Sequence, residues 1–226
     1  MQHSKSRFEE NAVKKRILII EDHPIVRKGF MLLINEEQDM CAAGEAEDSE
    51  SALDLVRKTE ADLALVDLSL RDGSGMELIK EIAVKKPGLP ILVVSLHEES
   101  IYAERVLRAG ARGYVMKSEA TENILSAIRD VIAGKVYLSE KMKTRILNRL
   151  SSSNEKVSFS LESLSDRELE VFHYIGQGKT TKEIAYFLNL SIKTVETYKS
   201  HIKVKLQIRD STELMLRAVE WEIFGS

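Results

Sequence analysis

Short apolar runs alternate with stretches of helical spacing from Arg16 to about Val136. The runs Ile17-Leu18-Ile19-Ile20, Leu63-Ala64-Leu65-Val66 and Ile91-Leu92-Val93-Val94 contain no charge. Such runs, bearing β-branched residues, read as strands buried on both faces. Together with two less apolar segments they predict five strands, at 17–20, 40–45, 63–67, 91–95 and 113–116. Between them, apolar residues recur at three- and four-residue intervals, as in Leu53/Val56 and Ile124/Ile128/Ile132, which is the signature of a helix with one buried face. Helices are predicted at 25–35, 49–58, 76–85, 101–109 and 121–133. Pro24, Gly73, Gly75, Pro87-Gly88, Pro90 and Gly110 punctuate the joints. Five strand–helix units with right-handed crossovers make a doubly wound parallel α/β sheet.

The alternation stops after residue 136. One helix is predicted at 139–150, with Met142, Ile146 and Leu150 along one face, and the polar stretch 151–156 follows as a linker. From Ser165 the pattern is wholly helical, and the helix starts are marked. Ser165 with Glu168, and Thr180 with Glu183, form capping-box pairs. Ser191 is an N-cap for a third helix, and Asp210 with Glu213 marks a fourth. The turn Leu188-Asn189-Leu190-Ser191 is tight, with Asn189 as a left-handed C-cap. A helix, a short turn and a second helix make a helix-turn-helix unit. The predicted organisation is a tail at 1–15, an α/β domain at 16–136, a linker with one helix at 137–160, and an all-α four-helix domain at 161–226.

Composition bounds this picture. The chain has 226 residues, 43% of them hydrophobic and 31% charged, so packed cores are feasible. A net charge of -3 excludes a broadly basic nucleic-acid coat but not a local basic helix. The lone Cys41 excludes an internal disulfide, fits a reducing cytosol, and reads as a small buried hydrophobe. No apolar run approaches the roughly 20 residues of a membrane span. The polar residues 1–15 have no apolar signal core. A cytoplasmic protein without a membrane partner is expected.

The strand ends carry the chemistry. In an open parallel sheet, ligands collect beyond the carboxyl ends of the strands, where strand order reverses. Glu21 and Asp22 close the first run, Asp67 the third, Ser95 the fourth and Lys117 the fifth. Three carboxylates at one rim repel one another unless a cation or proton lies between them. Magnesium favours a few carboxylates plus water and phosphate oxygens. A carboxylate can act as a nucleophile to form an aspartyl-phosphate, and metal and ammonium can stabilise the transferring phosphoryl charge. Each of these residues alone has a bland reading as a solvated loop or turn residue; the ensemble points to phosphoryl transfer.

On these residues, with Gly75 and Tyr114, the segment 16–136 resembles a two-component receiver domain. The resemblance implies a flavodoxin-like strand order 2-1-3-4-5 and a phosphoryl group accepted by Asp67 from a histidine kinase. It implies Mg2+ held by Glu21, Asp22, Asp67 and the backbone carbonyl of Ser69. It implies a switch pair, in which the Ser95 hydroxyl moves to the phosphoryl oxygen and the Tyr114 ring follows. Two residues depart from the family's usual pattern. Arg71 stands where proline is frequent and bears on the rigidity of its loop. Ser118 stands where proline often follows the lysine, which raises the question of a cis Lys117–Ser118 peptide, an isomer costing about 3 kcal/mol without proline.

Between Lys193 and Arg209 there are five cations against Glu196, a net +4 in a chain that is negative overall. With Val195, Ile202 and Leu206 inward, the outward set includes Lys193, Thr194, Glu196, Thr197, Lys199, Ser200 and Lys203. Lysines with short hydroxyl residues suit phosphates and base edges in a major groove. Residues 161–226 resemble the LuxR-type helix-turn-helix of the NarL/FixJ response regulators, through Leu164-Ser165-Asp166-Arg167-Glu168, Gly178 to Ala185, Ser191 to Glu196, and Lys205-Leu206. Thr181, where asparagine is frequent, and Glu196, where lysine is frequent, depart from that pattern. The resemblance adds Lys182 to the DNA-contacting set and implies a homodimer on double-stranded DNA. Tyr198 reads as a core or cap residue, and Trp221 and Phe224 as closing the bundle or a dimer contact.

The resulting expectation is a response regulator transcription factor in which phosphorylation at Asp67 controls dimerisation and DNA binding. Magnesium-dependent self-phosphorylation and self-dephosphorylation are the only catalysis expected. A second reading keeps the receiver as a dimerisation module without phosphorylation, against which the intact Glu21, Asp22, Asp67, Ser95 and Lys117 argue. A third, a phosphatase or phosphotransferase, lacks the cap domain such enzymes need.

Overall fold

The computed structural model describes residues 13–70, 75–151, 161–188 and 190–224, with side chains at all but 149–151, 162 and 224. The expectations for Arg71, Gly73, Asn189, most of the N-terminal tail and the serine linker fall outside these residues, as do those for the side chains of Leu150 and Phe224. The chain divides between Leu138 and Ser139 into two compact units.

In the first unit, five parallel strands lie in the order β2-β1-β3-β4-β5. They are β1 (Lys15–Ile20), β2 (Met40–Ala46), β3 (Leu63–Asp67), β4 (Ile91–Ser95) and β5 (Gly113–Met116). The helices between and after them are α1 (Pro24–Glu36), α2 (Ser49–Lys58), α3 (Gly75–Lys85), α4 (Glu99–Arg108) and α5 (Ala120–Ile132). The apolar runs of β1, β3 and β4 are fully buried, because helices cover both faces of a doubly wound sheet. Ile17, Ile19, Leu65, Leu92 and Val94 pack with Phe30 and Ile34 of α1 and with Ile124, Ile128 and Val131 of α5.

Element edges differ from the periodicity where hydrogen bonds extend them. β1 starts at Lys15 because the Lys15 N–H donates to Asp39 O at 2.8 Å and the Arg16 N–H to Asp62 Oδ2 at 2.8 Å. β2 runs on to Ala46, whose carbonyl accepts from Glu21 N at 3.0 Å. α1 begins at Pro24, whose missing N–H costs nothing in a helix's first turn. Tyr137 makes a β-bridge with Gly113, so residues just past the predicted α/β boundary still belong to this unit.

The second unit contains α6 (Glu140–Ser151), a short 3-10 turn (Leu161–Ser163), α7 (Asp166–Gly176), α8 (Thr181–Phe187), α9 (Ile192–Lys205) and α10 (Ser211–Phe224). The helix expected in the linker is thus part of the second unit: Met142 and Arg145 of α6 are buried, and the Arg145 guanidinium lies 5.4 Å from the centre of the Trp221 ring. Trp221 also packs on Phe172 at 5.9 Å and edge-on to His173 at 5.8 Å, so it closes the bundle.

Both capping boxes close, at Ser165/Glu168 and Thr180/Glu183. Ser191 caps α9 by accepting from Thr194 N at 3.0 Å. Asp210 caps α10, but Glu213 accepts from Arg209 N instead of completing a box. A non-glycine left-handed residue among those described is Gln207 (φ 54°). It ends α9 in a Schellman arrangement, with Ile208 N donating to Lys203 O and Gln207 N to Val204 O.

Candidate phosphoacceptor pocket and nucleic-acid face

Strand register assembles the pocket. Ile20 pairs with Val66, so Glu21 emerges beside Asp67. Asp67 pairs with Val94, and Ser95 with Met116, so Ser95 and then Lys117 follow at the same edge. β1 lies between β2 and β3, which makes this edge the place where strand order reverses. Gly75 allows the loop after β3 to fold back: a Cβ there would stand 2.5 Å from Asp67 O and 2.6 Å from Leu68 Cα.

Glu21, Asp22 and Asp67 are all buried. Lys117 Nζ lies 2.7 Å from Glu21 Oε2 and 2.9 Å from Asp67 Oδ2. Burial alone would lower the Lys117 pKa, but its hydrogen bonds to Glu21 and Asp67 outweigh this and raise it above the ordinary lysine value. Ligand atoms of Glu21, Asp22, His23 and Asp67 all lie within 4.8 Å of one another. Three carboxylates against one ammonium leave an excess of negative charge. Hard oxygen donors in that arrangement fit a divalent cation, so the rim is an acidic pocket able to hold a metal ion. Ser69 donates its N–H to Asp67 Oδ1 at 3.1 Å, which seats it at the mouth of the pocket.

Two histidines that the strand-end reading missed complete the rim. His23 Nδ1 is 2.7 Å from Asp22 Oδ1 and 3.1 Å from Glu21 Oε1. His97 joins the switch candidates: its N–H donates to Ser95 Oγ at 3.1 Å, and its carbonyl accepts from the Tyr114 hydroxyl at 2.8 Å. Its ring nitrogen Nε2 meets Ser69 Oγ at 3.1 Å, and the ring lies 4.8 Å from Tyr102 of α4. Tyr114 is buried, and this burial holds its phenol well above the usual tyrosine range. Position alone could have flagged both histidines, since His23 lies three residues past the end of β1 and His97 two past the end of β4. The Lys117–Ser118 peptide is trans, like the other described peptide bonds.

On α9, Val195 and Ile202 face the core, while Lys193, Glu196, Thr197 and Ser200 are exposed; Lys182 on α8 is exposed as well. Thr194, Tyr198, Lys199 and Lys203 are half-buried. Glu196 and Thr181, the two residues that depart from the family pattern, touch each other. Thr181 Oγ1 donates to Glu196 Oε1 at 2.9 Å. Lys199 Nζ donates to both, at 2.9 Å to Glu196 Oε1 and 3.0 Å to Thr181 Oγ1. The Lys199 and Thr181 bonds hold the Glu196 carboxyl below the ordinary glutamate value. Lys199 is therefore engaged in bracing α8 against α9, a role its spacing did not reveal.

Residues 17–129 match the response regulator receiver domain, and residues 162–218 match the bacterial regulatory proteins of the luxR family. The chain is 37% identical to the oxygen regulatory protein NreC of Staphylococcus aureus over 210 residues, covering 91% of this chain and 97% of that protein. A two-component response regulator of the LuxR family from Aurantimonas sp. SI85-9A1 superposes with a TM-score of 0.57 at 32% identity, over 62% of this chain and 99% of that one. RcsB from Salmonella enterica serovar Typhimurium, solved bound to promoter rprA with phosphomimetic BeF3-, gives a TM-score of 0.55 at 27% identity, over 91% of this chain and 98% of that one. No helix among the described residues is long and apolar enough to cross a membrane.

Proposed function

The chain belongs to the NarL/FixJ response regulators, transcription factors that join a receiver domain to a LuxR-type helix-turn-helix, and we propose that phosphorylation of its Asp67 controls dimerisation and DNA binding. The observation that carries this reading is Lys117, whose ammonium lies within 2.9 Å of Asp67 and 2.7 Å of Glu21 at the strand-reversal edge. The Asp67 carboxylate attacks the phosphorus of a histidine kinase's phosphohistidine; the new P–O bond forms as the P–N bond breaks. Lys117 remains as a cation beside the transferred group. Glu21, Asp22, Asp67 and the Ser69 carbonyl would hold Mg2+, which when bound offsets the phosphoryl charge. Self-phosphorylation from small donors and self-dephosphorylation at Asp67 are the catalysis this site supports.

Phosphorylation adds charge within reach of Ser95, whose hydroxyl now accepts from His97 N. Turning that hydroxyl to a phosphoryl oxygen releases the His97 N–H and biases the packing of Tyr114 and α4, a local charge change read out as a shift between two arrangements. The protein then binds double-stranded DNA as a homodimer in the cytoplasm, with half-sites about one helical turn apart. RcsB, solved as dimers bound to DNA, supports that assembly.

The test treats the full chain with an acyl phosphate and Mg2+ and compares it with Asp67→Asn. Wild type should take up one phosphoryl group and gain DNA affinity, and the variant neither. Equal stimulation of DNA binding in both would refute the switch.

A further inference from the structure

The outward face of α9 has an unusual hydrogen-bonding polarity. The Thr197 hydroxyl donates to Lys193 O at 3.0 Å, and the Ser200 hydroxyl to Glu196 O at 3.0 Å. A hydroxyl has one proton, so once it donates to its own helix only its lone pairs face outward. Glu196 Oε1 takes both the Thr181 and Lys199 bonds. Its Oε2 has no hydrogen-bond partner among the described residues, on a side chain 54% exposed. The centre of the face therefore offers acceptors, while donors lie a turn away at Lys193 and Lys203.

We propose that Glu196, flanked by Thr197 and Ser200, forms an acceptor strip that reads base amino groups in the major groove, with Glu196 selecting cytosine. This inference rests on the DNA-binding reading above and adds a base preference to it. Cytosine presents an N4 amino donor in the major groove, whereas guanine presents two acceptors there, which a carboxylate repels. Adenine also offers an amino donor at N6, but its neighbouring N7 acceptor repels a carboxylate, which leaves cytosine the better partner for Glu196. Glu196 and Ser200 are four residues apart, about 6 Å along the helix, which spans roughly two base-pair steps. Lys199 and Thr181 fix the carboxylate before DNA arrives, and Lys199 offsets its repulsion from the phosphates. The acid thus trades general affinity for selectivity.

Selection from a randomised duplex library by the phosphodonor-treated full chain, wild type against Glu196→Gln, tests this. Wild type should enrich a motif with one half-site position preferring cytosine over guanine about tenfold. Glu196→Gln should lose that preference at that position and move toward adenine, the usual partner of glutamine. Its affinity for bulk unspecific duplex should rise several-fold, because a negative charge has left a phosphate-facing surface. Ser200→Ala should blur a position about two base pairs away and leave the cytosine position in place. A cytosine preference that survives Glu196→Gln, or a uniform loss of affinity for all duplexes, would overturn the assignment and leave DNA binding standing. A wild-type chain that retains no duplex even at low salt would sink the DNA-binding reading and this inference with it.

Discussion

Removing the Lys117 ammonium is the sharpest test of the pocket's charge balance. Lys117→Met keeps an unbranched apolar stem out to Cε and deletes the cation. At an effective dielectric of about 20, unit charges at the observed 2.7 and 2.9 Å attract by roughly 6 kcal/mol each. Most of that attraction offsets the cost of taking the charges out of water. The net loss on removing one partner of such a buried pair is about 3–5 kcal/mol. With a urea slope near 2 kcal/mol per molar, the receiver's midpoint should fall by roughly 2 M. The chain has a single tryptophan, Trp221 in the second unit, so tryptophan emission follows that unit while far-ultraviolet circular dichroism follows both. Only the dichroism should shift.

Millimolar Mg2+ should restore part of the loss at neutral pH, as any ligand of the folded state does. A variant with wild-type midpoint and Mg2+ response would refute the view that Lys117 balances these carboxylates.

Two further outcomes are expected. Gly75→Ala places a methyl group 2.5–2.8 Å from backbone atoms of Asp67 and Leu68, which should cost about 1–3 kcal/mol of receiver stability and slow labelling of Asp67 by a small phosphodonor. Gly29→Ala, with open space around its Cβ, should be neutral or stabilising by up to about 1 kcal/mol; equal melting and labelling of the two variants would contradict the close-approach account. In the second unit, burial would raise the Glu168 pKa, but hydrogen bonds from Lys205 and Ser165 outweigh it and the carboxyl sits below its ordinary value. Its contribution is therefore full above the unfolded value and lost as pH falls below about 4 through the folded one. Glu168→Gln should cost about 1–2 kcal/mol at neutral pH and converge with wild type in acid, followed by Trp221 emission; curves that stay parallel to low pH would refute it.

The chain's local patterns determined a large part of this protein. Apolar runs, three- and four-residue spacing and the Ser165/Glu168 and Thr180/Glu183 boxes identified strands, helices and caps, because those signals arise from interactions within one turn or one strand. The polar residues ending those strands marked Glu21, Asp22, Asp67, Ser95 and Lys117 before any contact was visible. What spacing could not supply were the meetings between distant positions. Lys117 and Asp67 are 50 residues apart, and only the register of β3, β4 and β5 brings ammonium to carboxylate. His97 becomes a hub because the Ser69 loop and Tyr114 converge on it from other strands. The linker helix joins the second unit because Arg145 finds Trp221. Thr181 and Glu196 depart from the family pattern independently in sequence, and the crossing of α8 with α9 turns them into one bonded pair. Local hydrogen bonds and hydrophobic periodicity are short-ranged and written along the chain, whereas a site is a set of distances that exists only after register and packing have chosen which strand ends and helix faces become neighbours.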